Sequence, residues 1–326
     1  MKCLYSIAGR SILIETQDDW SAQAVSHLFS GSFLNPLTGS TSLNPDATLR
    51  VSFGNPPIRV PEGLFQFRVP EGGVCHTDGQ TFHFNFNGSQ ILSSPRTPPK
   101  VEVWITERYE FDSKTLAQII YQAFGVALRR CDLYEFHSAG AIPPAHDRAL
   151  LVAGASGSGK TTLTLQLAAS GWSYISDDKL LLHTDEHGIE VYPLRKTFAL
   201  TPHTVSALQL SHLIPTSGIP GDKERVSPQD LFQVDQVEKG RPGSIVFPIL
   251  THRTVSDIRR LSDAETMTRL LRLCPWAGYD KPTAAKHLGV LAELARECAA
   301  FELLAGTDLL EDRRRAADLC LASMRT

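Results

Sequence analysis

The chain has 326 residues, 42% hydrophobic and 21% charged, a composition that belongs to a folded globular protein and excludes a disordered or collagenous one. Thirty-two basic side chains against 35 acidic ones leave a net charge of −3, so no overall field draws the chain to nucleic acid or to an anionic membrane. The length allows two domains, or one large α/β domain with a smaller appendage. Met1 to Trp20 has no apolar stretch of the signal-peptide kind, and no apolar run approaches the roughly 20 residues of a bilayer span. The six cysteines are scattered, without C-x-x-C or zinc-type spacing, and read as reduced structural thiols. A soluble cytoplasmic protein is expected.

In chain order, the first hundred residues are expected to be β-rich, with short alternating runs at Leu49 to Phe53, Leu64 to Val69 and Thr81 to Phe86 between Pro- and Gly-rich turns. They carry no chemical motif. Three prolines in Ser93 to Lys100 disfavour helix and central strand, which places a boundary between a β-rich N-terminal region, 1–96, and a catalytic domain, 97–326. Val101 to Thr106 reads as a strand and Ser113 to Arg130 as a helix with an apolar stripe. Leu133 to Phe136 and Ala149 to Ala153 follow as strands, and alternating strands and helices from there predict an α/β domain with a mixed sheet and flanking helices. Ala264 to Leu273, Thr283 to Cys298 and Asp312 to Met324 read as helices.

Gly154-Ala155-Ser156-Gly157-Ser158-Gly159-Lys160-Thr161 fits the phosphate-loop pattern G-x-x-x-x-G-K-[ST] at every fixed position, between an apolar strand and a helix that closes on Gly171. Backbone N–H groups can surround a polyphosphate only where glycines let the chain curl tightly, and the helix N-terminus adds its positive dipole end. Lys160 is placed to reach the terminal phosphates and the Thr161 hydroxyl to ligate Mg²⁺, with Thr162 completing the nucleotide-binding stretch 154–162. Ser176-Asp177-Asp178 ends the next strand, its aspartates 17 and 18 residues beyond Lys160. One helix, a Gly turn and a short strand fill that distance, and a right-handed crossover brings both strand ends to one sheet edge. Two carboxylates there suit one to hold Mg²⁺ and one to accept a hydroxyl proton during phosphoryl transfer.

GASGSGKTTLTLQLAASGWSYISDD resembles the nucleotide-binding core of HPr kinase/phosphorylase and its kinase-like relatives, whose fold is similar to that of phosphoenolpyruvate carboxykinase. The resemblance implies nucleotide phosphates on Gly154 to Thr161, Mg²⁺ at Thr161 and a catalytic acid/base at Asp178, with Asp177 supporting metal or base; the two aspartates remain exchangeable. His137, in Phe136-His137-Ser138-Ala139-Gly140, resembles the family's upstream histidine and could orient the acceptor or a phosphate. The chain departs from the family's Glu-x-Arg-Gly segment: Tyr192 to Thr197 lacks it, Glu190 is not followed by Arg-Gly, and Gly240-Arg241-Pro242-Gly243 is a faint echo of the phosphorylase loop. A kinase without efficient phosphorylase activity is therefore expected. Arg195, Lys196, Lys223 and Arg225 are candidate clamps for a phosphate or an anionic acceptor, Arg195 and Lys223 foremost.

These readings lead to an ATP- and Mg²⁺-dependent kinase acting on a hydroxyl, a serine of a peptide or small protein, or alternatively a small-molecule alcohol. An ABC-type ATPase is excluded by the lack of an L-S-G-G-Q-like signature and of an apolar run ending in Asp-Glu. A protein that binds ATP without phosphoryl transfer is the alternative of a different class. The helices after Ala264 offer a surface for a homo-oligomer, as the ring-forming enzymes of the resemblance use.

Overall fold

Residues that alternate apolar and polar along the first third fold as a large pleated sheet. The structure, a computed structural model, describes residues 1–30, 35–36, 44–57, 59–69, 72–195, 197–214 and 223–324. It divides into two compact units, Met1–Tyr134 with Trp276–His287, and Glu135–Pro275 with Leu288–Thr326.

In the first unit the elements are β1 (Lys2–Ile7), β2 (Arg10–Thr16), α1 (Asp19–Phe29), β3 (Asn35–Pro36), β4 (Ala47–Phe53), β5 (Phe65–Arg68), β6 (Val74–Thr77), β7 (Phe82–Phe86), β8 (Ser89–Ser94), β9 (Lys100–Ile105) and α2 (Lys114–Arg129). The strands form a nine-stranded mixed sheet in the order β3–β1–β2–β4–β9–β8–β7–β6–β5, with β4 parallel to both β2 and β9. One face buries Ile12, Ile14, Leu49, Val51, Val101, Val103, Phe82, Phe84 and Phe86, together with Ala24 and Val25 of α1 and Leu116, Ile119 and Ile120 of α2. The alternate positions carry a ladder of opposite charges from strand to strand: Lys2 and Arg50 each 2.7 Å from Glu15, and Arg50 and Lys100 at 3.7 and 2.7 Å from Glu102.

The expected boundary at 96/97 falls inside this sheet. Ser94 and Lys100 are partners in the antiparallel β8–β9 pair, so the Pro-rich segment is a turn between neighbouring strands rather than a linker. The unit runs on to Tyr134 because the stripe of α2 packs onto it. The first hundred residues also contain a helix, α1, where Asp18 caps the amide of Ser21 at 2.8 Å.

The second unit follows with β10 (Tyr134–Phe136), β11 (Ser138–Ile142), β12 (Arg148–Ala153), α3 (Lys160–Ala169), β13 (Ser173–Ser176), β14 (Leu180–Asp185), β15 (Gly188–Pro193), β16 (Phe198–Leu200), β17 (Glu224–Val226), β18 (Arg241–Leu250), β19 (Asp257–Arg260) and β20 (Ala299–Ala305). Its main sheet is mixed, in the order β13–β11–β12–β18–β20–β19; β12, β18 and β20 are mutually parallel, while β11 is antiparallel to both β12 and β13. β13 therefore runs parallel to β12 with β11 between them, and the two C-terminal ends open on one edge. Smaller sheets have the orders β10–β14–β15 and β16–β17. Helix α3 is apolar on two sides: Leu163 and Leu167 pack with Ala139, Leu150, Val152 and Val246 of the main sheet, and Leu165 and Ala168 with Tyr174, Phe198 and Leu200. The helices expected in the last third are present at Asp263–Leu273, Lys281–Glu297 and Arg313–Met324. Among the described residues no helix is long and apolar enough to cross a membrane.

Candidate active site

The site is assembled at the edge where β12 and β13 end. After the buried run Ala149 to Ala153, the chain turns through Gly154 to Gly159 into α3. A Cβ on Gly154 would lie 2.5 Å from Ser158 Oγ, and Gly157 and Gly159 have φ of +82° and +95°, so glycine is what lets the loop close this tightly. Residues 155–157 are exposed. Among the described residues, Ser158 Oγ is buried without a hydrogen-bond partner.

Lys160 opens the helix, only 6% exposed, and its ammonium donates to the carbonyls of Gly154 at 2.8 Å and Ala155 at 3.0 Å. Burial pushes its pKa down, against the opposing charges of Asp178 and Asp177, and the positive charge of Lys223 adds to the lowering. Among the described residues, this buried cation folded back on its own loop has no polar partner beyond those two carbonyls except Asp178, whose Oδ1 stands 4.0 Å away.

Strand register brings the other groups in. Ser138 pairs with Ala153, which sets His137 beside Gly154, whose amide donates to the His137 carbonyl at 3.5 Å. Gly140 pairs with Ser176, so the Asp177-Asp178 turn runs back along β11 toward His137. His137 Nε2 lies 2.5 Å from Asp178 Oδ1, and since a carboxylate accepts, Nε2 carries the donated proton. The Ser176 hydroxyl braces the turn by donating to the Lys179 carbonyl at 3.0 Å.

The two aspartates are placed differently. Asp178 has a side chain 39% exposed at the mouth of the loop; burial raises its carboxyl, but the His137 hydrogen bond and the charges of His137, Lys160 and Arg195 outweigh it and hold the group well below the usual carboxylate range. Asp177 is 4% exposed, and burial pushes its carboxyl up to about 6. The Thr161 hydroxyl and the Ala199 amide, which donates to Oδ2 at 3.1 Å, work against that rise. Among the described residues, Oδ1 of Asp177 is buried without a hydrogen bond of good geometry. A carboxylate oxygen of this kind next to a threonine hydroxyl is a hard-oxygen pair suited to a divalent cation such as Mg²⁺. Among the described residues no group of three or more His, Cys, Asp and Glu side chains converges into a self-sufficient metal site.

Lys160, His137, Asp177, Asp178 and Thr161 thus come together, while Thr162 sits half-buried in the first turn of α3. Of the basic candidates, Arg195 acts on Asp178 and Lys223 on Lys160, and Arg225 is exposed opposite Ala199 on β17. Lys196 lies outside the described residues. Glu190 belongs to the β14–β15 sheet, its carboxylate engaged by Lys239 at 2.8 Å and by the Tyr192 hydroxyl. Gly240 to Gly243 leads into β18 at the sheet edge opposite the loop, since β18 runs parallel to β12. The Ala199 amide was not legible, because it is a backbone donor supplied by a strand 22 residues away in sequence. The chain matches no protein-family model and no curated protein.

Proposed function

We propose that the second unit is a phosphate-loop nucleotide-binding core of the kind the HPr kinase resemblance implies, and that the protein is an ATP-dependent kinase transferring a phosphoryl group to a hydroxyl, a serine of a peptide or small protein foremost. The observation that carries the reading is Asp178, exposed at the mouth of a glycine-rich loop, hydrogen-bonded to His137 and facing the buried ammonium of Lys160. ATP supplies the phosphoryl group and Mg²⁺ the neutralising charge when they are bound, with Gly154 to Thr162 holding the phosphates, and Thr161 with Asp177 the metal.

The chain's own residues do the rest by position and charge. Lys160 is a buried cation, which acts more strongly on a phosphate than it would in water. His137 fixes Asp178 through Oδ1 and leaves Oδ2 to accept the acceptor's hydroxyl proton. The low pKa of Asp178 makes it a weak base, which suits a loose phosphoryl-transfer transition state in which the hydroxyl gives up its proton late. Arg195 and Lys223 add positive charge around the same centre. The engagement of Glu190 elsewhere favours a kinase without efficient phosphorylase activity and, as a second reading, a protein that binds ATP without using it.

Incubation with γ-labelled ATP, Mg²⁺ and a lysate of the native source tests the proposal. Label on a discrete peptide or small protein is the expected result, and label on a small molecule assigns the acceptor to the alcohol class. Binding of ATP with no label transferred gives the site to the second reading.

A further inference from the structure

We infer that the rim formed by Leu250 and Val255 is the nucleobase site of the second unit. The inference rests on the phosphate-loop reading and extends it to the part of the ligand that the loop does not touch. His137 and Asp178 flank the loop on the side of β11 and β13, and β18 lies on the other side of β12. A nucleoside triphosphate whose terminal phosphoryl faces Asp178 must direct its base away from Asp178, and therefore over the C-terminal end of β18.

That end presents apolar side chains to solvent. Leu250 is 62% exposed, Val255 57% and Ile249 39%. Leu250 borders the loop directly, for a Cβ built on Gly159 would lie 3.0 Å from Leu250 Cδ2. The turn that holds these side chains out is fixed by backbone hydrogen bonds to the segment after β20. Thr251 donates its amide to Ala305 at 2.9 Å, and Arg253 and Thr254 accept from the amides of Thr307 at 3.0 Å and Asp308 at 3.2 Å. The Ser256 amide donates to both carboxylate oxygens of Asp308 at 3.0 Å.

A hydrogen-bonded turn that keeps Leu250 in water directly against a phosphate-binding loop, with Val255 exposed on the same turn, suits a flat heteroaromatic ring, which gains by covering apolar surface. Arg253, exposed on the same turn, adds a planar cation of the kind that stacks on bases. The occupant is thus a nucleobase joined to the phosphates in the loop, rather than a second copy of the chain or an acceptor peptide.

The test is calorimetric titration of the full chain with Mg²⁺-ATP and, separately, with Mg²⁺-tripolyphosphate, for wild type and for Leu250→Ala/Val255→Ala. Both positions are exposed, so the double variant is expected to keep the wild-type urea midpoint. Wild type should bind ATP more tightly than tripolyphosphate. The double variant should lose about tenfold in ATP affinity, the scale of a few missing apolar contacts, and nothing toward tripolyphosphate. Equal affinity of wild type for the two ligands, or parallel weakening of both in the variant, overturns the rim as a base site while leaving the loop reading intact. Wild type that binds neither ligand overturns the loop reading itself, and the rim site with it.

Discussion

Asp177 is buried at a cost that can be measured. Its carboxyl is moved from an ordinary 3.8 to about 6 by burial, so between those values the folded state keeps a proton that the unfolded chain releases. Stability attributable to this group therefore falls as pH rises from about 4 to about 6, and the whole cost, roughly 3 kcal/mol, is present above that. Asn at this position keeps an acceptor for the Ala199 amide and carries no charge to desolvate. Asp177→Asn should accordingly be more stable than wild type by up to roughly 3 kcal/mol at pH 7.5 and by only roughly 1 kcal/mol at pH 4.5, as the linkage relation gives for those two pKa values. Urea titrations at the two pH values, followed through the fluorescence of Trp172, 3% exposed in the same unit, measure both differences. A variant no more stable than wild type at pH 7.5, or one whose advantage does not shrink with acid, would refute the reasoning. The gain in stability should come with loss of phosphoryl transfer, as expected when a binding site retains a group that destabilises the empty fold.

Three further outcomes follow. His137→Asn removes the hydrogen bond that holds the Asp178 carboxyl down, so the acid limb of the transfer rate, which needs Asp178 ionised, should move to higher pH in single-turnover profiles; an unmoved limb would dissociate the two residues. Gly159→Ala forces an L side chain into φ +95° against Leu250 and should cost about 1–3 kcal/mol in urea titrations and weaken ATP binding severalfold, whereas a neutral effect would mean that the loop relaxes freely. In the first unit, Asp280→Ala removes the buried carboxylate that Arg129, 1% exposed, meets at 3.4 Å and Arg130 at 3.0 Å, and should destabilise by roughly 3–5 kcal/mol; less than about 1 kcal/mol would show that the pairs contribute little to the fold.

Local sequence carried much of the candidate site and little of the topology around it. The strand, glycine loop and helix around Lys160 were legible because each obeys a short-range rule: an apolar run, glycines at positive φ, and leucines one turn apart. The proximity of Asp178 to the loop was legible from the length of the intervening segment. That β11 lies between β12 and β13 was not, because an antiparallel strand inserted from upstream leaves no trace in the spacing between Lys160 and Asp178. The same insertion is what carries His137 to the site, so the family-like histidine acquires its physical reason only from the register. Helix α1 was missed although Ala24, Val25, Leu28 and Phe29 follow the capping Asp18 at helical spacing. The prolines before Lys100 suggest a domain boundary but form a turn within one sheet, because turns and boundaries use the same residues. The return of Trp276–His287 to the first unit is a long-range fact with no local signature.

The central claim is that Asp178 acts on the reacting hydroxyl while nucleotide binding does not depend on it. The most direct measurement is the ATP affinity and the single-turnover phosphoryl-transfer rate of Asp178→Asn beside wild type. Affinity within about threefold of wild type, with transfer lowered by roughly 10²–10⁴, is the predicted result for loss of a general base. Transfer at the wild-type rate, or a loss of transfer fully matched by a loss of ATP affinity, would contradict it.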